Sequence, residues 1–328
     1  MKRLLVGEEL RNFEEEFARA SGAAHMIGVG SGTAALELCL RDAAVRGEAL
    51  TSALSAPFTA VGICAAGCTP RFADIDPDTL QIDPGDAADR VTARTRALVP
   101  VHLYGQTCDL TRLRKLGLPI IQDACQAHGA RFKGKPLTAY STYVAYSFYP
   151  TKNLGCLGDG GAIATDNNAA AARLKSARDG GRRGDQISHS AGINSRLDEL
   201  QCCFLRAFLP HLTEWNNQRA RIAAIYDEQL AGCPGVRLLL RTADCVHHLY
   251  VIRAERRDRL RNYLAAQGIG SAIHYPVPLH HHPAFAQRVR LPNAESAVKE
   301  IVSLPIWPHL SDRAARRIAD CVRKFYRR

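Results

Sequence analysis

Aromatic residues make up only 7% of this 328-residue chain, which has two tryptophans and two methionines. No run of 18 apolar residues occurs, which excludes a membrane-spanning helix of ordinary length. The start lacks a basic segment followed by an apolar stretch, so a soluble, cytoplasmic protein with no membrane partner is expected. The eleven cysteines contain no Cys-x-x-Cys pair, which removes the spacing of a zinc ribbon or a thioredoxin-type site. Several of them (Cys39, Cys64, Cys202, Cys203) lie in apolar runs and read as small core residues in a reducing compartment. The basic residues are scattered and follow no nucleic-acid module, so nucleic acid is not an expected partner. The formal charge of +11 suits an anionic small-molecule substrate, or reflects an arginine-rich composition without functional meaning. His280, His281 and His282, with His274, raise the question of a metal. Adjacent histidines point in different directions and no carboxylate stands at ligand spacing, so none is expected. Repeats and low-complexity segments are absent.

What is present is a 46% hydrophobic content, enough for one large α/β unit and a smaller one. Apolar periodicity predicts helices at about 8–20, 31–41, 109–116, 168–178 and 256–267, and after Asn293 and Ser311. Residues 197–230 read as a long helical stretch broken at Pro210. Strands are expected around Ile27 and at 50–55, 71–74, 97–101, 118–122, 142–148, 161–165 and 248–253. The glycine-bearing stretch 182–190 reads as a loop. Strands alternating with helices imply a largely parallel, doubly wound sheet. The expected division is a large domain at 1–209 and a smaller α+β domain at 210–328.

Three segments carry chemistry. Lys152 stands in Ser147-Phe148-Tyr149-Pro150-Thr151-Lys152-Asn153-Leu154-Gly155, a turn between two strand-like runs. A lysine there is a candidate for a Schiff base with an aldehyde cofactor, against the plainer reading of a solvated loop lysine. Asp123 closes the apolar run Ile120-Ile121-Gln122 and is followed by Ala124-Cys125-Gln126-Ala127-His128-Gly129. Ligands of open α/β sheets bind outside the carboxyl ends of strands. A carboxylate there can keep a pyridine nitrogen protonated, or it can simply cap a helix. Ile27-Gly28-Val29-Gly30-Ser31-Gly32-Thr33 reads as strand, turn and helix start, a place where backbone N–H groups cradle a phosphate. It is neither the dinucleotide fingerprint, which needs a third glycine further on, nor a P-loop, because no Gly-Lys-Ser/Thr follows.

Together these motifs resemble the DegT/DnrJ/EryC1/StrS sugar aminotransferases, pyridoxal phosphate (PLP) enzymes of the aspartate-aminotransferase fold. Val101-His102-Leu103-Tyr104-Gly105-Gln106, Asn194-Ser195-Arg196-Leu197-Asp198-Glu199-Leu200-Gln201, His274-Tyr275-Pro276-Val277-Pro278-Leu279-His280 and Ser303-Leu304-Pro305-Ile306 are similar to the family's signatures as well. The likeness runs from about residue 8 to the C-terminus. With His211-Leu212-Thr213-Glu214-Trp215-Asn216, it is greatest to the branch that aminates C3 of nucleotide-linked 3-keto-6-deoxyhexoses. The resemblance implies that Lys152 holds PLP and moves protons, that Asp123 pairs with the ring nitrogen, and that Gln126 lies near the ring hydroxyl. It implies Gly32, Thr33 and Ser147 on the phosphate and Phe58 stacked on the ring, although an ungapped alignment places a small residue there. It implies Asn194 on the cofactor phosphate of a second subunit, hence a homodimer with shared active sites; a helix N-cap is the structural alternative for Asn194. His128, His274 and Tyr275 are implied around the sugar, with a histidine satisfied at a strand end as the alternative for His128.

The implied reaction moves an amino group, with L-glutamate as the expected donor, to a keto carbon of a nucleotide-linked sugar, dTDP being the expected nucleotide. C4 amination, cyclitol amination and a non-catalytic regulatory or binding role are the alternatives. A lysine-free dehydratase is disfavoured because Lys152 is present. Two departures stand out. Few residues precede the first helix where members carry a longer segment, so a short subtype or reduced lid is expected. Gln122 stands where an acidic residue is usual.

Overall fold

The computed structural model describes residues 5–327. Helix α1 (Glu8–Ser21) places Leu10, Phe13 and Phe17 on one buried face. It stops at Gly22, whose left-handed backbone (φ 74°) returns its N–H to the last carbonyls. Strand β1 (His25–Val29) leads through the glycine turn into α2 (Gly32–Asp42). Then come β2 (Glu48–Ser52), α3 (Pro57–Ala65), β3 (Thr69–Ala73), α4 (Pro84–Arg90), β4 (Thr95–Val99) and α5 (Leu110–Arg114). Strands β5 (Ile121–Asp123), β6 (Tyr143–Ser147) and β7 (Gly161–Thr165), with helices α6 (Asn168–Ala177) and α7 (Glu199–Phe208), complete the first half.

The strands lie in the order β3-β2-β4, then β5-β6-β7-β1, and parallel bridges Leu98–Ile120 and Val101–Asp123 join the two groups. Only β7 runs against its neighbours, so the sheet is mixed but largely parallel, as the alternation of elements implied. A parallel arrangement has one functional consequence. The carboxyl ends of β1, β2, β5 and β6 all open on the same edge. Register fixes it further, because Gly161 pairs with both Val29 and Ser147. The glycine turn and the Lys152 turn are therefore neighbours.

The second half contains α8 (Leu212–Leu230), β8 (Val236–Leu238), β9 (Tyr250–Ala254), α9 (Arg257–Ala266), α10 (Pro292–Glu300), β10 (Ile301–Leu304) and α11 (Asp312–Tyr326). Its three strands form an antiparallel sheet, β10-β9-β8. Tyr226, Tyr250, Ile252, Leu264, Val302 and Val322 are buried in its core. The expected division at 209/210 falls in the tight turn Leu209–His211 between α7 and α8.

Several expectations change. Helices α3 and α4 and strands β8 and β10 were not expected. The strand expected at 50–55 ends at Ser52, and that expected at 118–122 begins at Ile121 and includes Asp123. Cys39 and Cys202 are buried, but Cys64 and Cys203 are exposed on the outer faces of their helices. No helix among the described residues is long and apolar enough to cross a membrane.

Candidate active site

The site is built on the carboxyl edge of the sheet. Ser31 caps α2, its hydroxyl accepting the Ala34 N–H at 3.1 Å. The earlier first-turn N–H groups of Gly32 and Thr33 have no partner within the helix and make an anion cradle. The cradle is closed tightly. A Cβ on Gly32 would stand 2.6 Å from Cys125 Sγ and 2.8 Å from Ser147 Cβ. On Gly161 it would stand 2.4 Å from the Ser31 carbonyl carbon, so only glycine lets β7 pass under the turn. Ser147 lies beside Gly32.

Asp123 is buried at the last position of β5. Its Oδ2 accepts the Thr59 hydroxyl at 2.8 Å, and its Oδ1 accepts the Cys125 N–H at 3.1 Å. Thr59 is in turn 3.0 Å from the Ser55 hydroxyl. Thr59 comes from α3, so the unexpected helix aims this carboxylate.

Lys152 follows the β6 strand in a turn closed by its N–H on the Tyr149 carbonyl at 2.9 Å. No carboxylate forms an ion pair with it among the described residues. Burial lowers its pKa from the ordinary lysine value, and Cys125 and Asp123 oppose that shift. A lysine poised toward its neutral amine is suited to nucleophilic and base chemistry. The next residue anchors the turn: Asn153 Nδ2 donates to Asn216 Oδ1 (2.8 Å) and the Val246 carbonyl (2.9 Å), while its Oδ1 stands 3.0 Å from His248 Nδ1.

Both ends of the Gln126 amide are bonded. Its Oε1 accepts the Tyr104 N–H at 2.7 Å and its Nε2 donates to the Tyr275 hydroxyl at 2.9 Å. The Tyr104 hydroxyl donates to the His274 carbonyl, and His274 Nδ1 is 2.8 Å from Ser303 Oγ. This chain of bonds brings the His274–Tyr275 segment of the second half to the Asp123 edge. Burial, then Lys152, lowers the His274 pKa.

His128 is placed differently from the expectation. It is fully buried among Phe17, Tyr146 and Phe148, with ring centroids 5.5–6.4 Å away, so it stands behind the site and does not line it. Neither is it a satisfied histidine, because neither ring nitrogen has a well-formed hydrogen bond. Burial pushes its pKa down to about 3, helped by Lys152. Phe58, second residue of α3, is 64% exposed beside the inward Thr59. Asn194 is exposed and pairs its backbone with Asp179. It is not the cap of α7. Asp198 is, accepting the Gln201 N–H at 2.8 Å. Ser195, its neighbour, accepts the Gly30 N–H at 2.9 Å, which fixes this segment against the glycine turn.

Two more residues complete the edge. His102 Nδ1 accepts the Cys108 N–H at 3.1 Å, which makes Nε2–H the donor to Gln122 Oε1 at 2.9 Å. Gln122 Nε2 donates to the Leu137 carbonyl and to Ser141. Burial holds His102 neutral, with a pKa of about 4. Gln122 therefore serves a neutral histidine directly behind Asp123. The reasoning against a metal from spacing also changes. Glu295 reaches His280, 3.2 Å from its Nε2, and ligand atoms of His280, His281 and Glu295 lie within 4.8 Å of one another. Glu295 also accepts the Leu291 N–H at 2.9 Å, so the cluster ties down the start of α10.

Sequence reasoning missed Thr59, Ser55, Asn153 and the partner bonds of His102 and Tyr104. Thr59 was the discoverable one, a hydroxyl within the segment already tied to the cofactor ring.

These residues fit PLP: an anion cradle closed by Gly32 and Ser147, a buried carboxylate at a strand end, and a partly buried amine without a counter-ion. Comparisons with known proteins agree. Residues 1–323 match the profile of the DegT/DnrJ/EryC1/StrS aminotransferase family. A dTDP-3-amino-3,4,6-trideoxy-alpha-D-glucose transaminase of Streptomyces venezuelae is 44% identical over 99% of this chain and 89% of its own. A pleiotropic regulatory protein of Geobacillus stearothermophilus is 39% identical over 99% of this chain and 91% of its own. Among solved structures, S. venezuelae DesV in complex with a ketimine intermediate superposes with a TM-score of 0.96 at 43% identity, covering 99% of this chain and 91% of that one.

Proposed function

Since the chain belongs to the DegT/DnrJ/EryC1/StrS aminotransferase family and is a PLP-dependent aminotransferase, we propose that its acceptor is a nucleotide-linked keto-deoxysugar, aminated at C3, with dTDP as the nucleotide and L-glutamate as donor. The observation that carries the reading is that the Lys152 amine, which has no counter-ion, shares one sheet edge with the Thr59-held Asp123 carboxylate. The names of the relatives support the substrate class and the carbon.

When bound, PLP supplies an electron sink that lets an amino group pass from donor to acceptor. The protein's own contributions follow from the geometry. Lys152 would anchor the cofactor and, once displaced, take and return the substrate Cα proton with its neutral amine. Asp123 would hold the proton on the ring nitrogen, because a carboxylate with two fixed donors stays oriented. Gly32, Thr33 and Ser147 would hold the phosphate. Gln126, through Tyr104 and Tyr275, would set the position of the sugar-side loop. Phe58 would cover the ring.

Asn194, exposed beside the glycine turn, would reach the cofactor phosphate of a second copy. The exposed Tyr149, Leu157 and Leu200 around the Lys152 turn support such a homodimer. On this reading residues 1–209 form the cofactor domain, 210–328 the smaller domain, and the enzyme works in the cytoplasm.

The test is turnover of dTDP-linked 3-keto and 4-keto deoxysugars with glutamate, with the product's amino position read by NMR. Amination of the 3-keto sugar alone supports the reading, and amination of the 4-keto sugar alone overturns the carbon assignment. A regulatory role, favoured by the name of the Geobacillus relative, would bind PLP without turnover.

A further inference from the structure

His280, His281 and Glu295 converge where the start of α10 meets the exit of β3. Their ligand atoms lie within 4.8 Å of one another. His280 is buried, Glu295 is half-buried and His281 is exposed. In a strand, adjacent side chains point to opposite faces. Here the tight turn Leu279–His281 sets the two imidazoles side by side, with ring centroids 4.1 Å apart.

The spacing suits a small divalent cation with nitrogen and oxygen ligands. Glu295 Oε1 stands 3.2 Å from His280 Nε2. Two ligands about 2.0–2.1 Å from one tetrahedral zinc ion are about 3.3 Å apart. The exposed His281 side chain is free to turn and close the remaining gap, and the open side leaves a position for water. The charge is also suitable. Asp74 is buried at the same junction, where its oxygens accept the Asn293 and Ala294 N–H groups at 2.9 and 2.8 Å, and its charge acts on His280. Neither Asp74 nor Glu295 forms an ion pair with a lysine or arginine among the described residues.

The fold alone does not use up the cluster. Glu295 ties down α10 by accepting the Leu291 N–H at 2.9 Å. The second ring nitrogen of His280, Nδ1, is buried without a hydrogen-bond partner. Either imidazole nitrogen can bind a metal. His281 fills no part of the core, yet it lays a further imidazole against the buried one.

We propose that His280, His281 and Glu295 bind zinc, which clips the segment at 274–282 to α10. The assignment is independent of the aminotransferase substrate. The segment is held elsewhere by the Tyr275 hydroxyl, which accepts from Gln126, and by the Leu279 N–H, which donates to the Ala53 carbonyl at 2.8 Å. The ion adds a tie at its far end.

The test is calorimetry of the PLP-loaded enzyme, treated with a chelator and then titrated with zinc chloride. Wild type should bind one zinc ion per chain at micromolar concentration. His281→Ala removes an exposed side chain, so its metal-free melting temperature should equal that of wild type. Its zinc affinity should fall about tenfold or more, at least the cost of losing an outer-shell partner. Glu295→Gln keeps an acceptor for the Leu291 N–H and should lose affinity to a similar extent. His282→Ala, which alters the histidine outside the cluster, should bind zinc as wild type does. Zinc should raise the melting temperature of wild type more than that of His281→Ala. No zinc binding by wild type would overturn the proposal. Wild-type affinity in His281→Ala or in Glu295→Gln would overturn it too, and would place the ion elsewhere, such as on the exposed Cys64 or Cys203.

Discussion

The Thr59 hydroxyl donates a 2.8 Å hydrogen bond to Oδ2 of Asp123, joining residues 64 positions apart. The bond matters because it converts a strand-end carboxylate into an aimed one. With Cys125 N–H on the other oxygen, the carboxylate plane is fixed before any cofactor arrives. Fixed charges stabilise developing charge better than mobile ones do.

Thr59→Val keeps the shape of the side chain and removes the donor. A hydrogen bond to a charged group is worth about 1.5–3 kcal/mol. Turnover should fall by about tenfold to a hundredfold, with Thr59→Ser close to wild type. Steady-state kinetics with a melting curve check this; unchanged turnover in Thr59→Val would mean that Asp123 needs no such support.

Lys152→Ala should abolish transamination and covalent attachment of the cofactor. It should leave melting temperature equal or higher, because the amine it removes is partly desolvated without a counter-ion. Borohydride trapping followed by mass spectrometry reads the attachment. Label on another residue, or full activity in the variant, would contradict the assignment.

Acid should destabilise the fold through His102 and His128. Burial lowers their pKa values to about 4 and about 3, against 6.5 for the ordinary side chain. Both are depressed, so their unfolded forms bind protons first. Stability is full above about pH 6.5 and falls as pH drops toward about 4, at about 1.4 kcal/mol per pH unit for each histidine. Urea unfolding at several pH values measures the slope. Replacing His128 with Gln should remove its share, and a flat profile in the wild type would refute the burial argument.

Glu199 should be a structural carboxylate of unusual weight. It accepts the Gly7 N–H at 2.8 Å, the Glu9 N–H at 2.9 Å and the Leu10 N–H at 3.3 Å, so α7 caps the start of α1. Gly7 has no side chain to do this itself. Glu199→Ala should cost about 2 kcal/mol, the scale of a lost helix cap. Chemical denaturation would show it, with turnover reduced less than stability.

The positions of Lys152, Asp123 and the glycine turn were legible because each belongs to a local pattern, a strand running into a turn. Parallel strands then bring three such turns to one edge without further instruction. What the sequence hid was long-range. Helix α3 begins at Pro57, just after the strand expected at 50–55, and nothing local to that segment marks Thr59 as the partner of Asp123. Strand β10 exists through pairing with β9, a partner some fifty residues away. Asn194 reads as a helix cap, but the helix starts later, at Glu199, with Asp198 as its cap. His128 reads as a pocket residue beside Gln126, but the following turn carries it into the Phe17–Phe148 aromatic core. Glu295 joins His280 only because α10 folds back over it.

The most direct measurement of the central claim is the absorbance spectrum of the purified protein with PLP, before and after L-glutamate. The account predicts a visible band from cofactor bound to Lys152, which glutamate converts to the amine form and a keto-sugar restores. A protein that develops no such band with PLP would contradict the assignment of the Lys152–Asp123 edge.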